Sequence, residues 1–195
     1  MPLPPRTALP RRTALLLPAL IAGCAALPAR EEATLPLPVQ RPRGPEPTPE
    51  IILAAQRAFV DPGRLAGNPA AAAEALWQLE YLAAVMGRGG PARDLDPRAA
   101  IPLRRGRAEA RAALGLRADA PPQAAVDALH AAATALRSGD RARAAAALAT
   151  LGAGGDAVDR LGRLPPLPAA REGTEAAWVA LQRREPLFFR THDVD

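Results

Sequence analysis

The sequence predicts an all-α protein: a small alanine-rich bundle of five to seven helices that follows a disordered, proline-rich N-terminal segment. Three observations support this fold class. Apolar residues recur at helical spacing in several stretches beyond residue 48. Proline, asparagine, aspartate and glycine stand where those stretches begin and end. No stretch alternates apolar and polar residues with the β-branched content of a strand, so no sheet is expected.

The composition indicates how such a core would be packed. Alanine supplies much of the 49% hydrophobic content, and only 3% of the residues are aromatic. Because alanine buries little apolar area, the core must depend on close approach between helices rather than on large side chains. The 195 residues have room for one domain and its tails, and we expect a domain of modest stability.

The helical domain is predicted to span residues 48–195. Thr48 is a predicted N-cap, Pro49 suits the first helical position, and Glu50 places an acid in the first turn. This first helix would end at Asp61-Pro62-Gly63. All six aromatic residues lie beyond the predicted start, which agrees with a core that begins there: Phe59, Trp77, Tyr81, Trp178, Phe188 and Phe189.

A second helix, between Asn68 and Gly87, is predicted to be central to the bundle. Asn68 would cap it, Pro69 would occupy its first position and Gly87 would end it. Its apolar residues form a continuous stripe with steps of three and four: Ala72, Leu76, Leu79, Ala83 and Met86.

The next segment is predicted to be less regular. Asp96-Pro97 would open a short helical turn that ends at Pro102. Residues 103–114 would then form a weaker, arginine-rich helix that is interrupted at Gly106.

Two further helices are predicted to form an antiparallel hairpin. The first would begin at Pro121-Pro122 and end at Ser138-Gly139-Asp140, where Asp140 can cap the second helix. The connecting residues resemble the turn of tetratricopeptide-type hairpins. No 34-residue period recurs elsewhere in the chain, so a repeat protein is not predicted.

The C-terminal part is predicted to hold a short helix near Asp156–Leu161 and a longer one over roughly residues 169–183. Leu187-Phe188-Phe189 follows these helices. It would either dock onto the bundle and close its core or form an exposed recognition segment.

The first 23 residues have the composition of an export signal. Residues 1–12 carry arginine and no acid, and residues 13–23 form an apolar run. That run is shorter than the roughly 20 residues that a helix needs to cross a hydrocarbon core. The only cysteine of the chain, Cys24, follows it directly.

The residues Ile21-Ala22-Gly23-Cys24 resemble the lipobox of bacterial lipoproteins. The resemblance covers the signal region alone, and it implies diacylglycerol transfer to the Cys24 thiol, cleavage before this residue and acylation of the new amine. The mature protein would then be anchored in a membrane through its lipid and face the periplasm. Ala25 replaces the aspartate associated with inner-membrane retention, which favours the outer membrane. The alternative is secretion of a soluble product.

Residues 24–47 would hold the lipidated cysteine and a proline-rich linker. Proline removes backbone donors and favours extended conformations, so we expect a disordered or polyproline-II spacer. Such a spacer would hold the domain away from the bilayer by up to about 3.1 Å per residue.

The net charge of +5 does not indicate a nucleic-acid partner. Every basic residue is arginine, and three of the 25 lie in the segment that is expected to be removed: Arg6, Arg11 and Arg12. The other 22 are nearly balanced by 20 acidic residues, so the mature chain carries little excess charge.

No set of residues specifies a reaction, and we predict no catalytic residue, metal site or cofactor. Asp127, His130 and Ser138 lie close together in sequence, but capping and packing are the expected roles of such a group. His130 and His192 are the only histidines, and no metal-ligand spacing occurs.

The candidate partner-binding residues are Trp77, Tyr81, Phe188 and Phe189. Trp77 and Tyr81 lie one helical turn apart, where they would either bind a partner or an apolar ligand, or pack against the first or last helix. The expected function is binding, as an accessory or scaffold protein of the cell envelope. The alternatives are an envelope enzyme or enzyme subunit whose site is assembled from scattered acids and arginines, and carriage of a small ligand inside the bundle.

Overall fold

The computed structural model describes residues 32–40, 47–88, 92 and 95–184, and these residues form seven α-helices and no strand. The helices are α1 (Thr48–Val60), α2 (Pro69–Val85), α3 (Ala100–Leu114), α4 (Pro122–Arg137), α5 (Arg141–Ala149), α6 (Ala157–Gly162) and α7 (Pro168–Arg184). Short 3₁₀ turns at Pro62–Arg64 and Pro97–Ala99 precede α2 and α3. The predicted all-α bundle of five to seven helices is confirmed.

Helix α2 is the centre of the bundle. It packs against α1, α3, α4 and α6, and it is buried on every side from Ala75 to Val85. A helix that is apolar nearly all round belongs in a core, because it has no face to offer to water. The predicted central helix is therefore confirmed, although burial extends well beyond the predicted stripe.

Several helix ends are set by short local hydrogen bonds, as predicted. The Asn68 side chain accepts the Ala71 N–H at 3.0 Å and caps α2, and Gly87 beyond its end has a φ of 76°. Asp140 accepts the Arg143 N–H at 2.8 Å and caps α5. Helices α4 and α5 pack against each other on either side of this short connection.

Two predictions about helix boundaries are wrong. Pro47, not Thr48, is the N-cap residue of α1, and the buried Thr48 hydroxyl lies 2.9 Å from the Tyr81 hydroxyl instead. Pro102 does not end a helix, because it stands in the first turn of α3, where a backbone N–H has no intrahelical acceptor.

Gly106 does not interrupt α3; it lets α3 and α7 touch backbone to backbone. A Cβ at Gly106 would lie 2.6 Å from the Ala170 Cα, and a Cβ at Gly173 would lie 2.8 Å from the Leu103 Cα. Each glycine thus makes room for the opposite helix. This contact is the close helix approach that the alanine-rich composition predicted.

The same interface supplies a cap for α7. The Glu109 carboxylate, on α3, accepts the Ala170 N–H at 3.0 Å. The first turn of a helix leaves its N–H groups without intrahelical acceptors and carries positive partial charge, so a carboxylate is a favourable partner there. Helix α7 is therefore held at its start by a residue 61 positions earlier in the chain.

Part of the predicted linker belongs to the folded unit. Leu35 is only 9% exposed and joins the hydrophobic core, and the Thr34 N–H donates to Gln123 Oε1 at 2.6 Å. Contacts group these residues with the helices in a single unit that begins at Glu31. The fold thus starts upstream of the predicted residue 48, because Leu35 finds an apolar site on the bundle. Residues 1–31, with Cys24, and residues 41–46 lie outside the described part.

Candidate functional site

Trp77 and Tyr81 are core residues, and this corrects their assignment as partner-binding candidates. Each is only 1% exposed. The Trp77 ring packs edge-on against His130 with ring centroids 5.7 Å apart, and Tyr81 pairs with Thr48. Because α2 is surrounded by other helices, neither ring offers a surface to a partner. Tyr81 meets the first helix, as the packing alternative expected, whereas Trp77 meets α4. Phe188 and Phe189 lie outside the described residues.

Asp127, His130 and Ser138 each make a separate structural contact. Asp127 accepts a hydrogen bond from Gln123 Nε2 at 2.9 Å, and Ser138 Oγ donates to the Ala135 carbonyl at 2.9 Å at the end of α4. Among the described residues, no group of three or more His, Cys, Asp or Glu side chains is arranged to hold a metal ion.

A buried ion pair that the sequence did not reveal joins α2 to α3. Arg111 donates from Nε and Nη2 to the two carboxylate oxygens of Glu80, at 2.6 and 2.8 Å. Its Nη1 donates to the carbonyls of Ala118 and Ala120, at 2.8 and 2.9 Å. The side chains of Arg111 and Glu80 are 6% and 4% exposed. A bidentate contact of this kind fixes the relative orientation of the two side chains as well as the distance between them.

The surroundings of this pair indicate a structural role. The hollow beside Glu80 and Arg111 has a volume of about 10 Å³. A cavity of that size holds about one water molecule and nothing larger. The pair therefore joins α2, α3 and the connection to α4, with no room for a substrate.

The α1–α2 groove is an open hollow of about 510 Å³. Clefts that bind small molecules have volumes of about 300–1,000 Å³ and enclose most of the ligand, whereas this hollow is open and presents a surface. Two alanines from each helix supply its apolar wall, and charged or polar side chains stand among them. The lining residues are Ala54, Arg57, Ala58, Arg64, Leu65, Ala71, Glu74, Ala75 and Gln78.

The charges around the α1–α2 groove favour an acidic ligand. Arg57 and Arg64 are exposed, and Arg64 Nε lies 3.3 Å from Asp61 Oδ2. The Glu74 carboxylate is already engaged: it lies 2.8 Å from Arg137 Nη1 and 3.5 Å from Gln78 Nε2. Arg137 offsets Glu74 and Asp61 offsets Arg64, so the excess positive charge beside the groove comes from Arg57.

Asp119 has a perturbed acidity, and its effect is local. Its exposed carboxylate accepts a hydrogen bond from Arg117 Nε at 3.0 Å. That hydrogen bond, together with the charge of Arg117, lowers the pKa of the Asp119 carboxyl below its ordinary value. The stabilisation is therefore present at neutral pH and is lost as acidification protonates Asp119. Because the contact is exposed, it contributes little to stability.

The fold and the groove define a class: a small all-α bundle with an alanine-walled hollow between its first two helices. In the described part of the chain, no helix combines the length and the apolar character that crossing a membrane requires. Comparison with protein-family models, with curated proteins and with solved structures found no match to this chain.

Proposed function

We propose that this chain is a lipid-anchored protein of the bacterial cell envelope that works by binding a partner. The single observation that carries the anchor is the position of Cys24. It is the only cysteine of the chain, and it directly follows the basic and apolar segments of an export signal. Several acyl chains on this residue would bury enough methylene groups, at about 0.8 kcal/mol each, for stable membrane attachment. The bundle would face the periplasm, with the outer membrane favoured.

The binding surface in this proposal is the α1–α2 groove. Alanine side chains allow another backbone to approach closely, and the exposed Arg57 attracts carboxylates. The partner is therefore a segment of an envelope protein that has small apolar residues along one side and acidic residues beside them. Such a segment would bury its apolar side on the alanines and pair a carboxylate with Arg57.

The anchor is tested by Cys24→Ser. Without the thiol there is no site for diacylglycerol transfer, so the variant is expected to lose lipid labelling and to leave the membrane fraction. Its helical circular dichroism should match that of the wild type, because Cys24 precedes the folded unit. Recovery of the substituted protein in membranes after a carbonate wash would contradict the anchor.

The groove is tested by Ala54→Trp, which places a large ring in it at an exposed position. The lipidated protein is to be pulled down from detergent-solubilised envelopes. A protein recovered with the wild type is expected to be lost with Ala54→Trp and weakened by Arg57→Glu. Ala142→Trp is the matched control, since Ala142 is an exposed helical alanine outside the groove. Equal recovery with all of these proteins would reject the groove as the binding surface.

A further inference from the structure

The floor of the α1–α2 groove carries a hydrogen-bond acceptor that no described residue uses. Ala75 and Gln78, one helical turn apart on α2, are the most buried helical residues of the groove, at 2% and 8% exposure. Gln78 Nε2 donates to Glu74 Oε1 at 3.5 Å, and Gln78 Oε1 accepts no hydrogen bond from a described residue. An occupant of the groove would cover this oxygen and remove its water. Such an occupant must therefore supply a donor, because a buried acceptor without a partner is costly.

The walls of the groove favour a helical occupant. Each wall has two alanines four residues apart, which are Ala54 and Ala58 on α1, and Ala71 and Ala75 on α2. Side chains at this spacing form the ridges of a helix surface, and a third helix can pack between two such ridges with its axis about 8–10 Å away. Because the ridges consist of alanine, the shorter of these distances is accessible.

An extended segment would fit the same walls poorly. Its backbone N–H and C=O groups need partners along its whole length, and alanine side chains supply none. Among the described residues that line the groove, Gln78 is the only one with an uncharged polar side chain. A helix satisfies its own backbone groups, so only its side chains need to meet the polar groups of the groove. The donor to Gln78 would then come from a side chain of that helix.

We propose that the groove binds an α-helix of the partner that has small residues at every fourth position and, one turn further along, a hydroxyl or amide side chain that donates to Gln78 Oε1. This inference rests on the proposed function of the groove and names the kind of segment that it binds. The position of Gln78, one turn beyond Ala75, sets the spacing of the donor. Arg57 lies on the opposite wall, so a carboxylate on that side of the helix would complete the match.

The test uses a pair of fluorescein-labelled peptides as probes. A lactam bridge holds both peptides helical, and both have alanine at every fourth position and one glutamate. One turn beyond the last alanine, one peptide has serine and the other has alanine. Fluorescence anisotropy with the detergent-solubilised full chain measures their affinities. The wild-type protein is expected to bind the serine peptide about fivefold more tightly or better, because the alanine peptide would cover Gln78 Oε1 without supplying a donor.

The role of Gln78 is tested by Gln78→Leu, which removes the acceptor and is expected to bind both helical peptides equally. Gln182→Leu is the matched control, because Gln182 is an exposed glutamine of α7 outside the groove, and this variant should keep the preference for serine. Circular dichroism checks that both variants retain the wild-type helix content. The comparison of the two peptides on the wild-type protein does not depend on the folding of any variant.

A peptide of the same composition with central prolines, which cannot form the helix, is expected not to bind. The inference would be overturned by equal binding of the proline peptide and the serine peptide, by no binding of either helical peptide, or by a serine preference that survives Gln78→Leu. Failure of the groove itself has a different sign: the envelope pull-down would then recover the same protein with the wild type and with Ala54→Trp, and this inference would fall with the proposed binding surface.

Discussion

At the scale of single residues, Glu80 and Arg111 form a buried, bidentate ion pair between α2 and α3. Two charges have been taken out of water, and the four hydrogen bonds that Arg111 donates compensate for the lost solvation. Both residues stand among apolar neighbours in sequence, and their helices bring them together across 31 positions. In a core of small side chains, this pair fixes how α2 and α3 face each other.

Removing one partner of this pair is expected to be costly. Arg111→Met leaves the Glu80 carboxylate buried without its cation, so the free energy of unfolding should fall by about 3–5 kcal/mol. Adding Glu80→Met should restore part of that loss, since no unpaired charge then remains in the core. Urea denaturation of the single and double variants measures both effects.

The control for this prediction is Arg137→Met, which breaks the half-exposed Arg137–Glu74 pair of similar length, 2.8 Å. Exposed pairs contribute about 0–1 kcal/mol, so this variant should remain close to the wild type. Equal losses for Arg111→Met and Arg137→Met would show that burial of the Glu80–Arg111 pair has no special role.

At the scale of elements, the contact between α3 and α7 decides how the last helix joins the bundle. Gly106 and Gly173 each accommodate backbone of the opposite helix, and Glu109 caps α7 from α3. Because α3 and α7 approach so closely at these glycines, their backbone atoms make many dispersion contacts. These contacts partly replace those of the large side chains that the chain lacks.

Gly106→Ala is therefore expected to destabilise the bundle even though alanine is the better helix former. The new Cβ would lie 2.6 Å from the Ala170 Cα, and the resulting overpacking should cost about 1–3 kcal/mol, more than the roughly 0.5–1 kcal/mol gained in helix propensity. Thermal denaturation followed by circular dichroism measures the balance.

Gly162→Ala is the matched control, because Gly162 is also helical and its added Cβ would meet only Pro69 Cδ, in ordinary van der Waals contact at 4.0 Å. This variant should be as stable as the wild type or slightly more so. A stabilising effect of both substitutions would contradict the close α3–α7 contact.

At the scale of the whole molecule, the folded unit and the predicted helical domain have different starts. The Thr34–Gln123 and Gln40–Leu35 hydrogen bonds, with the burial of Leu35, attach residues 34–40 to the helices. The connection to Cys24 is correspondingly shorter than a spacer of residues 24–47 would be.

Two truncated proteins should therefore differ in stability. A protein of residues 48–195 loses the buried Leu35, whose apolar burial contributes about 1.5–3 kcal/mol, and should have a lower melting temperature than a protein of residues 32–195. Leu35→Ala in the longer protein should account for most of the difference. Identical melting temperatures for the two truncated proteins would show that residues 32–47 add nothing to the fold.

The sequence by itself determined what depends on neighbours along the chain. Asn68, Asp140 and Gly87 set helix ends through hydrogen bonds or backbone angles within a few residues, so their roles could be predicted. The all-α class followed from apolar spacing in the same way. The candidate site could not be predicted, because the α1–α2 groove arises from how two helices lie together.

Only the tertiary structure decided what depends on residues far apart in the chain. Thr48 is a core residue because its hydroxyl is hydrogen-bonded to that of Tyr81. Glu80 can be buried because Arg111 forms an ion pair with it. Leu35 joins the fold because the bundle offers it an apolar site. In each case the partner lies more than 30 positions away or on another helix, so the contact cannot be predicted from a local sequence pattern.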